Sequence, residues 1–371
     1  MPPRRRTLPP NPPAFPPFPS WARVGAPPES PGEAAFLAGA ALAALHPIAR
    51  AEHPLASLWR QRLALACAAA VARRGGRTED EAALRDAWYL RRAGDDPGPA
   101  GRILEAWRAL SQRAALRSED WTLHLAAMLE LRLDDGLQDV LSVAAKLAKG
   151  QGSAVAAAAE IAAVSLRFRP DSDALALWLA DAVLAHRLNW PAPVPLLAGQ
   201  VLAGQVLAGQ VLAGQVLAGQ VLAGQVLAGQ VLAGQVLAGQ VLAGQVLAGQ
   251  VLAGQRRRGD FFRAAKRQGD DDARLTACCV GYARAAAAAA DLYADLARRA
   301  ERLLAVAPKL RGKDADIMAA ILIGEDAQAA NCGGPGKTTS DRSSRRLFER
   351  LVALGAVREL TGRATFRLYG L

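Results

Sequence analysis

The side chains best suited to chemistry in this sequence are five arginines near its end: Arg342, Arg345, Arg346, Arg363 and Arg367. A guanidinium carries planar N–H donors that match phosphate oxygens and the edge of guanine. Arginines gathered on one short segment therefore read as a contact for double-stranded DNA. Between residues 341 and 371 only Asp341, Glu349 and Glu359 oppose them. The other constellations fall short of a catalytic or cofactor site. Gly333-Gly334-Pro335-Gly336-Lys337-Thr338 imitates a phosphate loop, but Asn331 stands where the motif needs its first glycine and Pro335 removes an amide from the cradle. His46, His53, His124 and His186 have no metal-type spacing. Glu79, Asp80, Glu81 and Asp86 fit a helix cap and a solvated face without invoking acid–base work, and no serine, cysteine or histidine arrangement supports a nucleophile. The sequence thus names no catalytic residue, no cofactor and no metal.

The elements that would position the arginines follow from the local pattern. A helix is expected from Ser340-Asp341 with Leu347, Phe348, Leu351 and Val352 on one face, stopping at Gly355. Two short β-type runs come next, Val357–Leu360 and Ala364–Tyr369, joined through Thr361-Gly362-Arg363. Helix, stop and terminal hairpin describe the second half of a winged helix. Its outward helix face would carry Arg342, Arg345 and Arg346, and its wing Arg363 and Arg367.

Upstream the pattern is helical. Residues 1–31 form a Pro-rich arm, expected to be extended and mobile. Residues 32–195 read as a helical body: one helix ends near His46-Pro47, another runs from Pro54 to Gly75-Gly76, and a third opens with a capping box, Thr78-Glu79-Asp80-Glu81, with Glu81 and Arg85 spaced to pair across one turn. Further helices are expected around Trp107 and Trp121, over 137–147, over 154–166 as a buried core helix, and over 173–188. The body resumes over residues 256–312, led by one long Ala-rich helix over 275–304, and the winged-helix-like module takes residues 313–371, opening with a helix over Asp314–Ala327. Residues 196–255 lie between the two parts of the body. They hold eleven identical copies of Val-Leu-Ala-Gly-Gln after the near-copy Leu196–Gln200. A five-residue period advances about 140° net on a helix and changes face at each copy on a strand, so neither structure gains an apolar face. A glutamine in every copy argues against a membrane span. The repeat reads as an insertion, either a weak helix or a disordered linker.

Composition sets the frame. With 371 residues, 51% hydrophobic and 5% aromatic, the chain is long enough for two domains and rich in alanine, which favours closely packed helices. The formal charge of +11 carries weight only where it clusters, because arginine, alanine, glycine and proline are all abundant, as in a GC-rich genome. Cys67, Cys278, Cys279 and Cys332 form no C-x-x-C pair. Cys67 and the adjacent Cys278-Cys279 sit in Ala-rich helical patterns as small hydrophobes, which suits a reducing cytoplasm. Three arginines near the start are followed by prolines instead of an apolar run, so a soluble cytoplasmic protein with no membrane partner is expected.

Two stretches resemble a known family. Glu79-Asp80-Glu81-Ala82-Ala83-Leu84-Arg85-Asp86-Ala87-Trp88-Tyr89-Leu90, and the ending from Arg345 through Gly355 and Gly362 to Leu371, are similar to the bacterial family called domain of unknown function 1403. The resemblance covers the chain from about Pro10 onward, the repeat excepted, and implies no activity. The ending also resembles the terminal winged helix of some Fic-related proteins. Their catalytic His-Pro-Phe and Gly-Asn-Gly-Arg runs are absent, since His46-Pro47-Ile48 and His53-Pro54-Leu55 do not continue them. A third function class, an enzyme, stays open because Ala-rich helical bodies can hide sites that no spacing reveals, but two classes lead. One is a DNA-binding or regulatory protein using the terminal arginines. The other is a non-catalytic helical scaffold that binds protein, favoured by the long Gly-rich stretch Asn331–Thr339 before the arginine-bearing helix.

Overall fold

The computed structural model describes residues 8–91, 94–112, 121–169, 172–200, 271–310, 315–330, 341–362 and 366–371. The protein is mostly α, a multi-helix body with a small C-terminal module of one helix and a short antiparallel sheet. The body comprises α1 (Pro31–Arg50), α2 (Ala56–Arg74), α3 (Glu81–Tyr89), α4 (Gly98–Leu110), α5 (Trp121–Met128), α6 (Asp135–Lys149), α7 (Ala154–Phe168), α8 (Asp173–Arg187) and α9 (Asp271–Val306). After it come α10 (Ala315–Gly324), β1 (Gln328–Ala329), α11 (Asp341–Ala353), β2 (Arg358–Glu359) and β3 (Leu368–Gly370).

Several helix starts are written in capping side chains. Ser30 Oγ accepts from Glu33 N at 3.1 Å, with Pro31 at the first helical position. Asp80, Asp134 and Ser153 cap α3, α6 and α7 in the same way. The cap of α3 is Asp80 and not Thr78 of the expected capping box, so the helix starts at Glu81, where the box would have put its third residue. The expected end of α1 at His46-Pro47 is overrun. A proline inside a helix costs about 3 kcal/mol, but Ile48 and Ala49 beyond it are buried. Arg60 Nη2 also donates to the Ala49 carbonyl at 2.7 Å, which satisfies the frayed end.

The 36-residue α9 is the spine, packed along α1 and touching α2 and α7. Trp59 of α2 ties itself to α9 through Nε1 donating to Ala289 O at 2.8 Å, and Trp178 of α8 to α4 through Ala106 O at 2.8 Å. Helix α7 is buried on most sides, as its near-continuous alanines require. Residues 8–30 are extended except for one 3-10 turn at Ser20–Ala22, and they are anchored, unlike the mobile arm expected. Tyr293 Oη donates to Pro13 O at 2.7 Å, Arg23 makes a two-pronged bond to Asp291, and the Phe15 ring meets Tyr293 edge-on at 5.2 Å. Prolines deny the arm its own hydrogen-bond donors, yet its aromatic side chains still find apolar surface on α9.

Candidate nucleic-acid interface and the buried clusters behind it

Helix α11 is seated by two residues. Phe348 is fully buried and stacks on Tyr369 of β3 at 4.4 Å, and Leu351 is buried beside it. Val352, expected on the same face, is 39% exposed, so the buried face is narrower than expected: Phe348 and Leu351, with Leu347 half-buried against the core. Gly355 ends the helix at φ 64°, with Gly355 N donating to Val352 O and Ala356 N to Leu351 O, the paired bonds of a glycine-terminated helix. The three strands lie in the order β1-β3-β2, all antiparallel, with Gln328 opposite Tyr369 and Arg358 opposite Gly370. Strand β1 lies just past the expected Asp314–Ala327 helix, at residues that carry no strand pattern. Helix α10 stops at Gly324, and Asp326 is drawn inward by arginines of the body.

The structure places Arg345 and Arg346 exposed on α11, with Arg350 exposed one turn further on. None of the three forms an ion pair or side-chain hydrogen bond among the described residues. Arg367 is 43% exposed and lies 3.6 Å from Glu359. The Arg342 side chain, Arg363, and the Gly333–Thr338 stretch lie outside the described residues. Arg358, exposed on β2, reaches Leu371 O at the end of the same module with its Nη2 at 3.5 Å. Partial burial and the neighbouring Arg299 and Arg62 hold its pKa below the usual arginine value.

Behind the module lies a cluster that no sequence motif announced. The Asp326 side chain, 2% exposed, takes Arg62 on one oxygen and Arg85 Nε on the other at 2.8 Å. Arg62 also donates to the main-chain oxygens of Asp326 and Leu371 at 3.2 and 3.1 Å, and burial lowers its pKa. Gln61 receives Asp326 N at 3.1 Å and donates to Gly324 O at 3.1 Å, while Tyr89 and Arg108 donate to its oxygen. Arg85 is thus committed across the fold and not to Glu81, its expected partner on α3. The buried carboxylate wins because an unpaired Asp326 would cost several kcal/mol. Elements α2, α3 and α4 hold the module by this lock, whose partners stand more than 200 residues apart in sequence.

Two further titratable groups are buried. Asp181 of α8, fully buried, accepts the main-chain N–H of Leu196 at 2.8 Å and of Leu197 at 3.2 Å. Burial raises its pKa to about 7 against those bonds and the nearby Tyr282 hydroxyl. Burial likewise pushes the thiols of Cys67 and Cys278 up, which makes them inert core side chains as expected. His53 follows α1 and meets Phe15 and Tyr293 edge-on. Burial, then the charge of Arg60, lower its pKa to about 4. It borders a cleft of about 140 Å³ lined also by Glu52, Arg60, Pro191 and Ala192. No group of three or more His, Cys, Asp or Glu able to hold a metal exists among the described residues.

The family described as Protein of unknown function (DUF1403) matches residues 11–214 and 205–371, and the chain belongs to it. The two matched stretches overlap within the Val-Leu-Ala-Gly-Gln repeat. No curated protein matches the chain.

Proposed function

We propose that this family member is a non-catalytic DNA-binding protein that presents the outward face of α11 to the duplex. The observation that carries the reading is the row Arg345, Arg346 and Arg350, solvent-facing and opposed on α11 by the exposed Glu349. Seating by Phe348 and Leu351 fixes that face relative to the sheet. The strand order β1-β3-β2, with α11 between β1 and β2 in sequence, is the arrangement a winged helix uses, and this supports α11 in a groove with the β2–β3 hairpin beside it. Arg342 and Arg363 join the proposed contact by position in sequence. Arg367 joins it only by exchanging Glu359 for phosphate.

The test is fluorescence anisotropy with a labelled random duplex at several salt concentrations. Replacing Arg345 and Arg346 with alanine leaves folding intact, since neither side chain is buried. If both touch phosphate, the slope of log affinity against log salt flattens by roughly two units. Absence of binding at low salt, or equal binding by wild type and variant, transfers the conclusion to a helical scaffold that binds protein.

A further inference from the structure

The inner side of α1 is buried against α9, but its outer side faces solvent without a charge. Between Glu33 and Arg50 the helix has no acidic residue, lysine or arginine. Ala35, Gly39, Ala43 and Pro47, four residues apart, are all exposed. Phe36 and Trp21, each 63% exposed, stand with ring centres 6.1 Å apart and extend the apolar strip at its amino end. Such a strip is costly in water when left uncovered. Gly39 sharpens the point. A Cβ built there meets nothing within 4 Å, so the single chain offers no packing reason for a mid-helix glycine that weakens the helix. Between two helices, a missing Cβ lets the backbones approach.

We propose that this face of α1 is a two-fold interface between two copies of the chain. The charges select the occupant. Glu29 and Glu33 gather at the amino end of α1, and Arg50 lies exposed at the carboxyl end. Two α1 helices packed antiparallel bring Glu33 of each copy toward Arg50 of the other, and the two-fold axis makes that pairing twice. A parallel arrangement would set like charges together. The strip runs about 18 Å from Ala35 to Pro47, within a helix about 30 Å long, and is one helix wide. That is at the small end of specific interfaces, so the dimer is a weak one, in the micromolar range. A lipid surface fits less well. Helix α1 is long and apolar enough to cross a bilayer, with mean hydropathy 1.3, but spanning would strip it from α9, and the outer face lacks the basic flank that holds a helix on a membrane.

The test is sedimentation equilibrium of the full chain from low to high micromolar concentration. Wild type associates to a dimer. Gly39→Arg is monomeric throughout, with a thermal midpoint equal to or above that of wild type, because the new side chain enters open space. Glu33→Arg and Arg50→Glu each weaken self-association at least tenfold, and an equimolar mixture of the two recovers it, with circular dichroism confirming that both are folded. The proposal is overturned if wild type stays monomeric at high micromolar concentration, if Gly39→Arg dimerises as wild type does, or if the mixture fails to recover association. Monomeric wild type that co-sediments with phosphatidylcholine–phosphatidylglycerol vesicles through this face would assign the strip to lipid instead.

Discussion

Asp181 and His53 make opposite demands on pH, and separating them is a strict test of how the core is built. Burial raises the Asp181 carboxyl from 3.8 to about 7, so the folded state holds a proton that the unfolded chain has released. Stability from this group therefore falls as pH rises from about 4 to 7. Roughly three units at 1.36 kcal/mol each give ~4 kcal/mol across that window. His53 runs the other way. Its folded pKa is lowered from 6.5 to about 4, so the unfolded chain binds the proton first and stability falls as pH drops through the same window. Its share is at most about 3 kcal/mol, reduced by solvent at the cleft. Wild type should accordingly show a shallow pH dependence between 4 and 7 from these two groups, with each variant exposing one half of the balance. Asp181→Asn keeps an oxygen for the Leu196 and Leu197 amides and removes the proton. Relative to wild type it should lose about 4 kcal/mol on acidification from pH 7 to 4. His53→Phe keeps the ring between Phe15 and Tyr293 and should gain on acidification instead. Urea unfolding followed by circular dichroism at four pH values measures both. Variant curves parallel to wild type would refute the assignment of either group as a buried titrating site.

Two other outcomes follow from particular contacts. In Gly370→Ala the new Cβ would lie 2.6 Å from Asp326 O and 2.9 Å from Leu360 Cδ1. The strand must shift, and a loss of about 1–3 kcal/mol should appear in thermal melts together with faster proteolysis of the terminal module. Deleting Val201–Gln255 shortens the connection between Gln200 and Asp271 roughly fivefold, which changes loop-closure entropy by ~1.4 kcal/mol. The thermal midpoint should rise by no more than a few degrees, and loss of the folded transition would show that the repeat belongs to the core.

What the sequence made legible was local. The helical spacing around Phe348 and the Gly355 stop each act within a few residues, so α6, α7, α11 and the terminal hairpin could be read from spacing alone. Helix α3 is legible too, although Asp80, not Thr78, caps it. Pro47 misled because propensity cannot see Ile48 and Ala49 being buried, nor Arg60 arriving from the next helix to cap them. Residues 8–30 misled for a related reason: prolines forbid regular structure but not docking. Strand β1 was illegible, since Gln328 and Ala329 pair with residues near position 370 and have no strand pattern of their own. The arginine lock around Asp326 was hidden most deeply. Arg85 sits at a spacing that invites Glu81, and only the folded chain shows a buried carboxylate competing for it.

That competition bears on how the positive charge should be read. Much of the arginine excess works inside the protein, closing helix ends and pinning loops. Arg60 donates to Ala49 O, Arg187 to Leu147 O at 3.0 Å, Arg169 to Arg132 O at 2.7 Å and Arg302 to Gly355 O at 3.4 Å. Arg74 pairs with Asp173, and Arg62 and Arg85 share Asp326. A guanidinium suits such posts because its five donors can meet two carbonyls or both carboxylate oxygens at once. The net charge of +11 is therefore not by itself a nucleic-acid signature. Its value as an argument shrinks to the arginines without a structural post. Arg345, Arg346 and Arg350 hold no carbonyl and no carboxylate among the described residues, yet they stand together on the one helix whose opposite face is fixed by Phe348 and Leu351. The proposed DNA contact rests on that residue-by-residue remainder, and for this reason the alanine pair at 345 and 346 tests it more sharply than any change in overall charge.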